Sequence, residues 1–167
     1  LVGAAFAFNK DWDLDSIRAY HFHAYFFQHN NKSTAEALAF RHEVNQLIDS
    51  GYLGECTTTC RLCRFYRGPD GPHPIGNFLT CCNSSSIKPA LDFFAKNRGS
   101  LPVLVHPLTE REIDDHTNRA MWIGHSLPLD ESFLEEVLEP IDICDKDWPP
   151  NKDPHIVPTY FATTPSP

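Results

Sequence analysis

Residues 17–28, IRAYHFHAYFFQ, constrain the fold more than any other part of this chain. Aromatic and β-branched residues dominate, with no glycine or proline, so the segment reads as a β-strand. Successive strand side chains point to opposite faces of the sheet. Tyr20, Phe22, Ala24 and Phe26 then form one largely apolar face, while His21, His23 and Tyr25 share the other. The first face asks for helices packed against it. The second carries two imidazoles at the spacing that puts both on one side, as a metal site needs.

The segments after it alternate in period. Thr34 offers an N-cap for a helix over residues 35–49, with Leu38, Val44, Leu47 and Ile48 as its apolar stripe and Gly51 as its stop. A second strand is expected within residues 52–66, interrupted by cysteines, then a turn at GPDGP (68–72) and a third strand over 75–82. Ser86 can cap a second helix that tolerates Pro89 in its first turn and ends at Gly99. Leu101 to His106 reads as a fourth strand. The order β-α-β-β-α-β predicts a ferredoxin-like α/β sandwich, an antiparallel sheet with both helices on one face. The fourth strand of that topology lies beside the first, which brings His106 toward His21 and His23. A short helical stretch to about Trp122 and a last helix over 131–138, capped by Asp130, are expected to follow. The chain thus divides into an N-terminal segment (1–16), a domain (17–144) and a tail (145–167). The tail holds six prolines in 23 residues, so it reads as irregular, with Trp148, Tyr160 and Phe161 as anchors.

With 41% hydrophobic residues among 167, the chain can build a core. Its net charge of −8 argues against a nucleic-acid partner. No apolar run approaches the roughly 20 residues of a membrane-spanning helix. The six cysteines are Cys56, Cys60, Cys63, Cys81, Cys82 and Cys144, and N-x-S sequons begin at Asn31 and Asn83. Residues 1–7, LVGAAFA, resemble the end of a secretory signal with an A-x-A cleavage site. Together these features predict a secreted, disulfide-bonded glycoprotein. Bridges between the second and third strands are expected, with Cys144 pinning the start of the tail. A zinc site built on Cys60-x-x-Cys63 and Cys81-Cys82 is the alternative.

Nine histidines are present, and four sit in distinctive settings: YHFH (20–23), GPHP (71–74), LVHP (104–107) and DH (115–116). An isolated histidine is more often a satisfied core or surface residue than a ligand. The combination says more. YHFHAYF at 20–26, GPHP at 71–74, NRGSLPVLVHPLT at 97–109 and DDHTNRAMWIGHSLPLD at 114–130 resemble the DOPA 4,5-dioxygenase family of fungi and bacteria, in the family's order.

The resemblance implies the same ferredoxin-like fold and one divalent metal, Fe(II), bound by histidines. It also implies the opening of a catechol ring with O₂. Carried over onto this chain, His23, His73 and His106 are the candidate ligands. His21 is a fourth ligand or a substrate contact. His116 is the candidate acid or base, or else a supporting group held by Asp114 or Asp115. His125 is a weaker catalytic candidate, and Tyr25 and Trp122 are candidate walls for a flat substrate. His29, His42 and His155 read as surface residues.

The cysteines depart from the family's usual intracellular pattern. An oxidising compartment makes Fe(II) harder to keep, and a histidine-rich site would accept Cu(II) or Zn(II) instead. Two alternatives follow. One is a secreted enzyme using the same pocket for cyclisation, addition or isomerisation of a natural-product intermediate. The other is a non-catalytic metal- or ligand-binding protein. A homodimer is left open.

Overall fold

The computed structural model describes residues 14–138 and residue 144. Most of the N-terminal segment, the whole 145–167 tail with its expected anchors, and His155 lie outside the described residues.

Six strands form one antiparallel sheet: β1 (Ala19–Phe26), β2 (Cys56–Thr57), β3 (Phe65–Tyr66), β4 (Gly76–Asn83), β5 (Val103–Leu108) and β6 (Met121–Ile123). Among the described residues three helices accompany them, α1 (Asn31–Asp49), α2 (Ile87–Asn97) and the single turn α3 (Glu112–His116). The sheet order is β2-β4-β1-β5-β6, and β3 also pairs with β4. The protein therefore has the ferredoxin-like sandwich, with one strand added at the edge.

β1 is central, and both of its faces are covered. Phe22, Ala24 and Phe26 join Ala37, Phe40 and Val44 of α1, Ala90 and Phe94 of α2, and Phe78, Val103 and Val105 in one fully buried cluster. Burying a side chain such as Phe22, packed 4.7 Å from the Phe94 ring, contributes about 1.5–3 kcal/mol. The register then dictates the opposite face. His21 sits directly across from Cys81 of β4 and from His106 of β5, and His23 across from Leu79 and Leu104.

Several element boundaries differ from the expectations, each for a local reason. α1 starts at Asn31 rather than after Thr34, because the Asn30 side chain accepts the Ser33 N–H and acts as the cap. Its buried stripe is Thr34, Ala37, Phe40 and Val44, supported by Leu47 and Ile48 but not by Leu38. The expected second strand is split into β2 and β3, because the Cys60–Cys63 bridge draws the intervening residues into a tight loop off the ladder. Ser86 does not cap α2; its hydroxyl accepts the Glu55 N–H, and a 3-10 turn over Ser84–Ser86 leads into the helix. β5 runs through Pro107. Its ladder to β6 ends at Val105, so proline costs no bond on that edge.

The expected helix to Trp122 stops at His116. The chain turns through Arg119, whose N–H donates to Asp114, and returns as β6 along the edge of β5. Asp130 does cap a helical segment, through the Ser132 N–H, but only the 3-10 turn Glu131–Phe133 follows.

The cysteines form three disulfides, Cys56–Cys82, Cys60–Cys63 and Cys81–Cys144. These pairings use all six sulfurs, so in the oxidised protein none is left for a zinc site on Cys60, Cys63, Cys81 and Cys82. Cys56–Cys82 joins β2 to β4, and Cys81–Cys144 ties the chain end of the described region to β4.

Candidate functional site

Five histidines converge on the face of the sheet away from α1 and α2. His21 and His23 come from β1 and His106 from β5, placed by strand alternation and register. His73 arrives from the turn before β4. Asp70 and His73 exchange both backbone hydrogen bonds, and Gly71 takes the left-handed φ of 52° that closes this turn. His116 ends α3.

The rings form a contiguous set. His23 and His73 have centroids 4.0 Å apart, as do His106 and His116, and His21 stands edge-on to His106 at 5.1 Å. One possible ligand atom from each of His21, His23 and His106 lies within 4.8 Å of the others, and the same holds for His23, His73 and His116.

Hydrogen bonds on the outer ring nitrogens decide what faces inward. His106 Nδ1 lies 2.8 Å from the Pro107 carbonyl, and His116 Nδ1 lies 2.9 Å from the Glu112 carbonyl. A carbonyl can only accept, so both Nδ1 atoms donate and both Nε2 atoms keep a bare lone pair. His23 Nδ1 lies 3.3 Å from the Asn77 carboxamide, whose oxygen would take its proton and whose nitrogen, otherwise without a partner among the described residues, would donate to it. His23 Nε2 and His106 Nε2 face each other at 3.3 Å; they share one proton when His23 carries it on Nε2, and present two lone pairs when His23 carries it on Nδ1.

With both lone pairs turned inward, the pair offers two nitrogen donors to a cation. A proton is a poor choice, because burial pushes both imidazoles far below their usual pKa. Two nitrogens bound to one metal at roughly 2.0–2.1 Å stand about 3.0–3.4 Å apart, which matches the observed gap. His21 adds to the fit. It is buried and held near pKa 3 by desolvation, yet its Nε2 has no hydrogen-bond partner among the described residues. The all-imidazole donor set suits a borderline divalent ion.

His73 is different. Its Nδ1 lies 2.7 Å from the Tyr25 hydroxyl. Burial holds the phenol neutral, far above its usual pKa, so it keeps its proton. No other acceptor meets this hydroxyl among the described residues. Leaving a buried donor unmade costs about 1–3 kcal/mol, so the phenol donates to Nδ1 and the His73 proton sits on Nε2.

A cavity of about 290 Å³ opens on the cluster, reached by His21, His23, His73, His106 and His116 and walled by Leu79, Leu108 and Leu138. Arg61, Asp70, Glu112 and Asp115 add charge to the lining. Sequence reasoning named Asp115 only as a support for His116, and missed Arg61, Asp70, Glu112 and Asn77. Asn77 was the readable one, a polar residue in phase with Leu79 and Cys81 on β4.

Three expected positions fall elsewhere. Tyr25 is fully buried and does not line the cavity; Trp122 stacks on it at 5.5 Å, also outside the cavity. Strand alternation points Tyr25 to the correct face, but His73 covers it. His125 is exposed beyond β6 and stands apart from the cluster. His29 and His42 are exposed, as expected. Neither Asp114 nor Asp115 holds the His116 ring. Asp115 instead accepts the Thr109 N–H and hydroxyl and pairs with Arg119, anchoring the helix that carries His116.

The model of the Dopa 4,5-dioxygenase family matches residues 20–133, which include all five clustered histidines. The chain belongs to that family. A DOPA 4,5-dioxygenase from Amanita muscaria is 39% identical over 122 residues, covering 72% of this chain and 52% of the relative. This chain thus spans about half the length of that enzyme. A 21.2 kDa protein from Botryotinia fuckeliana is 33% identical over 138 residues, covering 78% of this chain and 70% of that protein. Among solved structures, a candidate dioxygenase from Nostoc punctiforme superposes with a TM-score of 0.57 at 28% identity, covering 70% of this chain and 90% of that one.

Proposed function

We propose that this chain binds one divalent metal between His21, His23 and His106 and opens the ring of a catechol-type aromatic substrate with O₂. The observation that carries the reading is the convergence of three buried imidazoles, with His23 Nε2 and His106 Nε2 facing each other at 3.3 Å and one His21 nitrogen within 4.8 Å of both residues' ligand atoms. When bound, the metal supplies Lewis-acid activation of the catechol oxygens and a position for O₂.

The residues of the chain divide the remaining work. Leu79, Leu108 and Leu138 offer an apolar slot for a flat ring. His116 is neutral, its pKa lowered by burial, and its bare Nε2 accepts a substrate hydroxyl proton. His73, with its proton held on Nε2 by Tyr25, donates to an oxygen that gains charge as the ring opens. A fourth ligand role for His73, paired with His23 and His116, is the alternative assignment.

Fe(II) is the metal that family membership favours. The three disulfides support a second reading, because they suit an oxidising compartment in which Cu(II) or Zn(II) is easier to hold. Under it the same pocket performs cyclisation, addition or isomerisation without O₂. Export through the secretory route, with glycans on the exposed Asn31 and Asn83, belongs to the same proposal.

An oxygen electrode separates the readings. Metal-loaded protein given a catechol should consume O₂ while a ring-opened chromophore appears, and chelation should stop both. Turnover of a non-catechol under nitrogen would support the second reading. Metal binding with neither activity would leave a binding protein.

A further inference from the structure

His21 belongs to two clusters at once. On one side it meets His23 and His106. On the other, one of its ring nitrogens and the sulfurs of Cys81 and Cys144 all lie within 4.8 Å of one another. The register explains this: Cys81 is directly opposite His21 on β4, as His106 is on β5, so the three side chains stand in a row across the sheet. Cys81 is fully buried and Cys144 is half-buried, so Cys144 is the more exposed residue of the pair. The His21 Nε2 is buried and without a hydrogen-bond partner among the described residues.

We propose that Cys81, Cys144 and His21 form a second, redox-gated metal site that takes a soft ion such as Zn(II) or Cu(I) when the Cys81–Cys144 bond is open. The opening step needs an external dithiol. The dithiol gives up two electrons and two protons and closes its own disulfide; the Cys81–Cys144 bond breaks, and each sulfur takes one electron and one proton. An incoming ion then displaces the two thiol protons to solvent and meets two thiolates and one imidazole, a donor set that favours soft and borderline metals. His21 serves either this site or the histidine cluster, so the state of the disulfide sets how many imidazoles the histidine cluster can offer. The inference rests on donor atoms alone and does not depend on the reaction assigned to the pocket.

Cobalt(II) is a suitable probe, because thiolate ligation gives it a charge-transfer absorption in the near ultraviolet that imidazole ligation does not. Full-length protein would be treated with a small dithiol and freed of it under argon. Its thiols would be counted and its fold checked by circular dichroism before titration with Co(II). The expected result is an extra equivalent of bound Co(II) with thiolate absorption after reduction, and none in the oxidised protein. Cys60→Ser/Cys63→Ser should keep the band. Cys81→Ser/Cys144→Ser should lose it, and His21→Ala should weaken that equivalent by roughly tenfold or more.

Survival of the band in Cys81→Ser/Cys144→Ser would overturn the proposal, and so would its absence in reduced, folded protein. Failure of a dithiol excess to release these two thiols without unfolding overturns it as well. Should the double serine variant not fold, the His21→Ala titration decides alone. Loss of catechol turnover bears on the catalytic reading, whereas metal stoichiometry bears on this one.

Discussion

The Tyr25 hydroxyl and His73 Nδ1, 48 positions apart in the chain, lie 2.7 Å from each other beneath the histidine cluster. Tyr25 is fully buried and stacked on Trp122, and among the described residues its hydroxyl meets this ring alone. It therefore acts on the chemistry through His73, by setting which nitrogen bears the proton.

Tyr25→Phe should keep the ring stacking and lose the proton control. We expect a stability loss of about 1–2 kcal/mol, since a buried Nδ1 is left unpaired. Turnover of a catechol substrate should fall roughly tenfold or more, with metal content unchanged. Urea unfolding and steady-state kinetics on the same preparation test both parts, and unchanged kcat would remove His73 from proton handling.

Replacing cluster histidines should separate metal binding from turnover. His106→Ala removes one of the two facing Nε2 atoms and should abolish stoichiometric metal binding while leaving the fold intact. His116→Ala should retain metal and lose turnover. His125→Ala, at an exposed position, should change neither. Metal analysis after dialysis, alongside kcat and KM, distinguishes the three.

Acid should destabilise the metal-free protein. Burial lowers His21 and His73 from the usual 6.5 to about 3, and lowers His23 and His106 as well. Between those pH values the unfolded chain binds protons that the folded chain refuses. Stability is then fully present above about pH 6.5 and is lost as pH falls, at about 1.4 kcal/mol per pH unit for each proton taken up on unfolding. Urea midpoints for chelated protein at pH 7 and pH 5 should differ clearly, and equal midpoints would contradict the neutral, buried cluster.

Metal should stabilise the fold by mass action, because the ligands converge only in the native state. At a free concentration 100 times Kd, the expected gain is about 2.7 kcal/mol. Thermal unfolding with and without chelator measures it, and His106→Ala should show no difference.

The Cys56–Cys82 bridge spans 26 positions and holds the two-residue β2 on the sheet. Replacing both cysteines by alanine should cost about 2–4 kcal/mol, chiefly through a freer unfolded chain. The loss should appear in denaturant midpoints rather than in metal content.

The main elements were legible because they rest on local periodicity. β1 alternates strictly, α1 and α2 carry stops at Gly51 and Gly99, and together they imply the strand order that sets His106 beside His21. The Dopa 4,5-dioxygenase-like blocks could likewise be read directly as residues. Short elements were not legible. Six residues such as those before Trp122 carry too little pattern to tell a helical turn from an edge strand, and the open edge of β5 decided for β6.

What the linear chain determined by itself was which side chains share a face: period two along β1 places His21, His23 and Tyr25 together in any sheet that buries Phe22 and Phe26. What only the tertiary structure decided was the use of that face. The hydrogen-bond partners that orient each imidazole are backbone carbonyls and residues distant in sequence: Asn77 for His23, Pro107 for His106, Glu112 for His116 and Tyr25 for His73. The proton on a neutral imidazole goes to the nitrogen that meets an acceptor, so lone-pair direction is a property of packing and not of residue type. The same holds for Cys81 and Cys144, 63 positions apart, whose sulfurs reach His21 only because β4 lies beside β1.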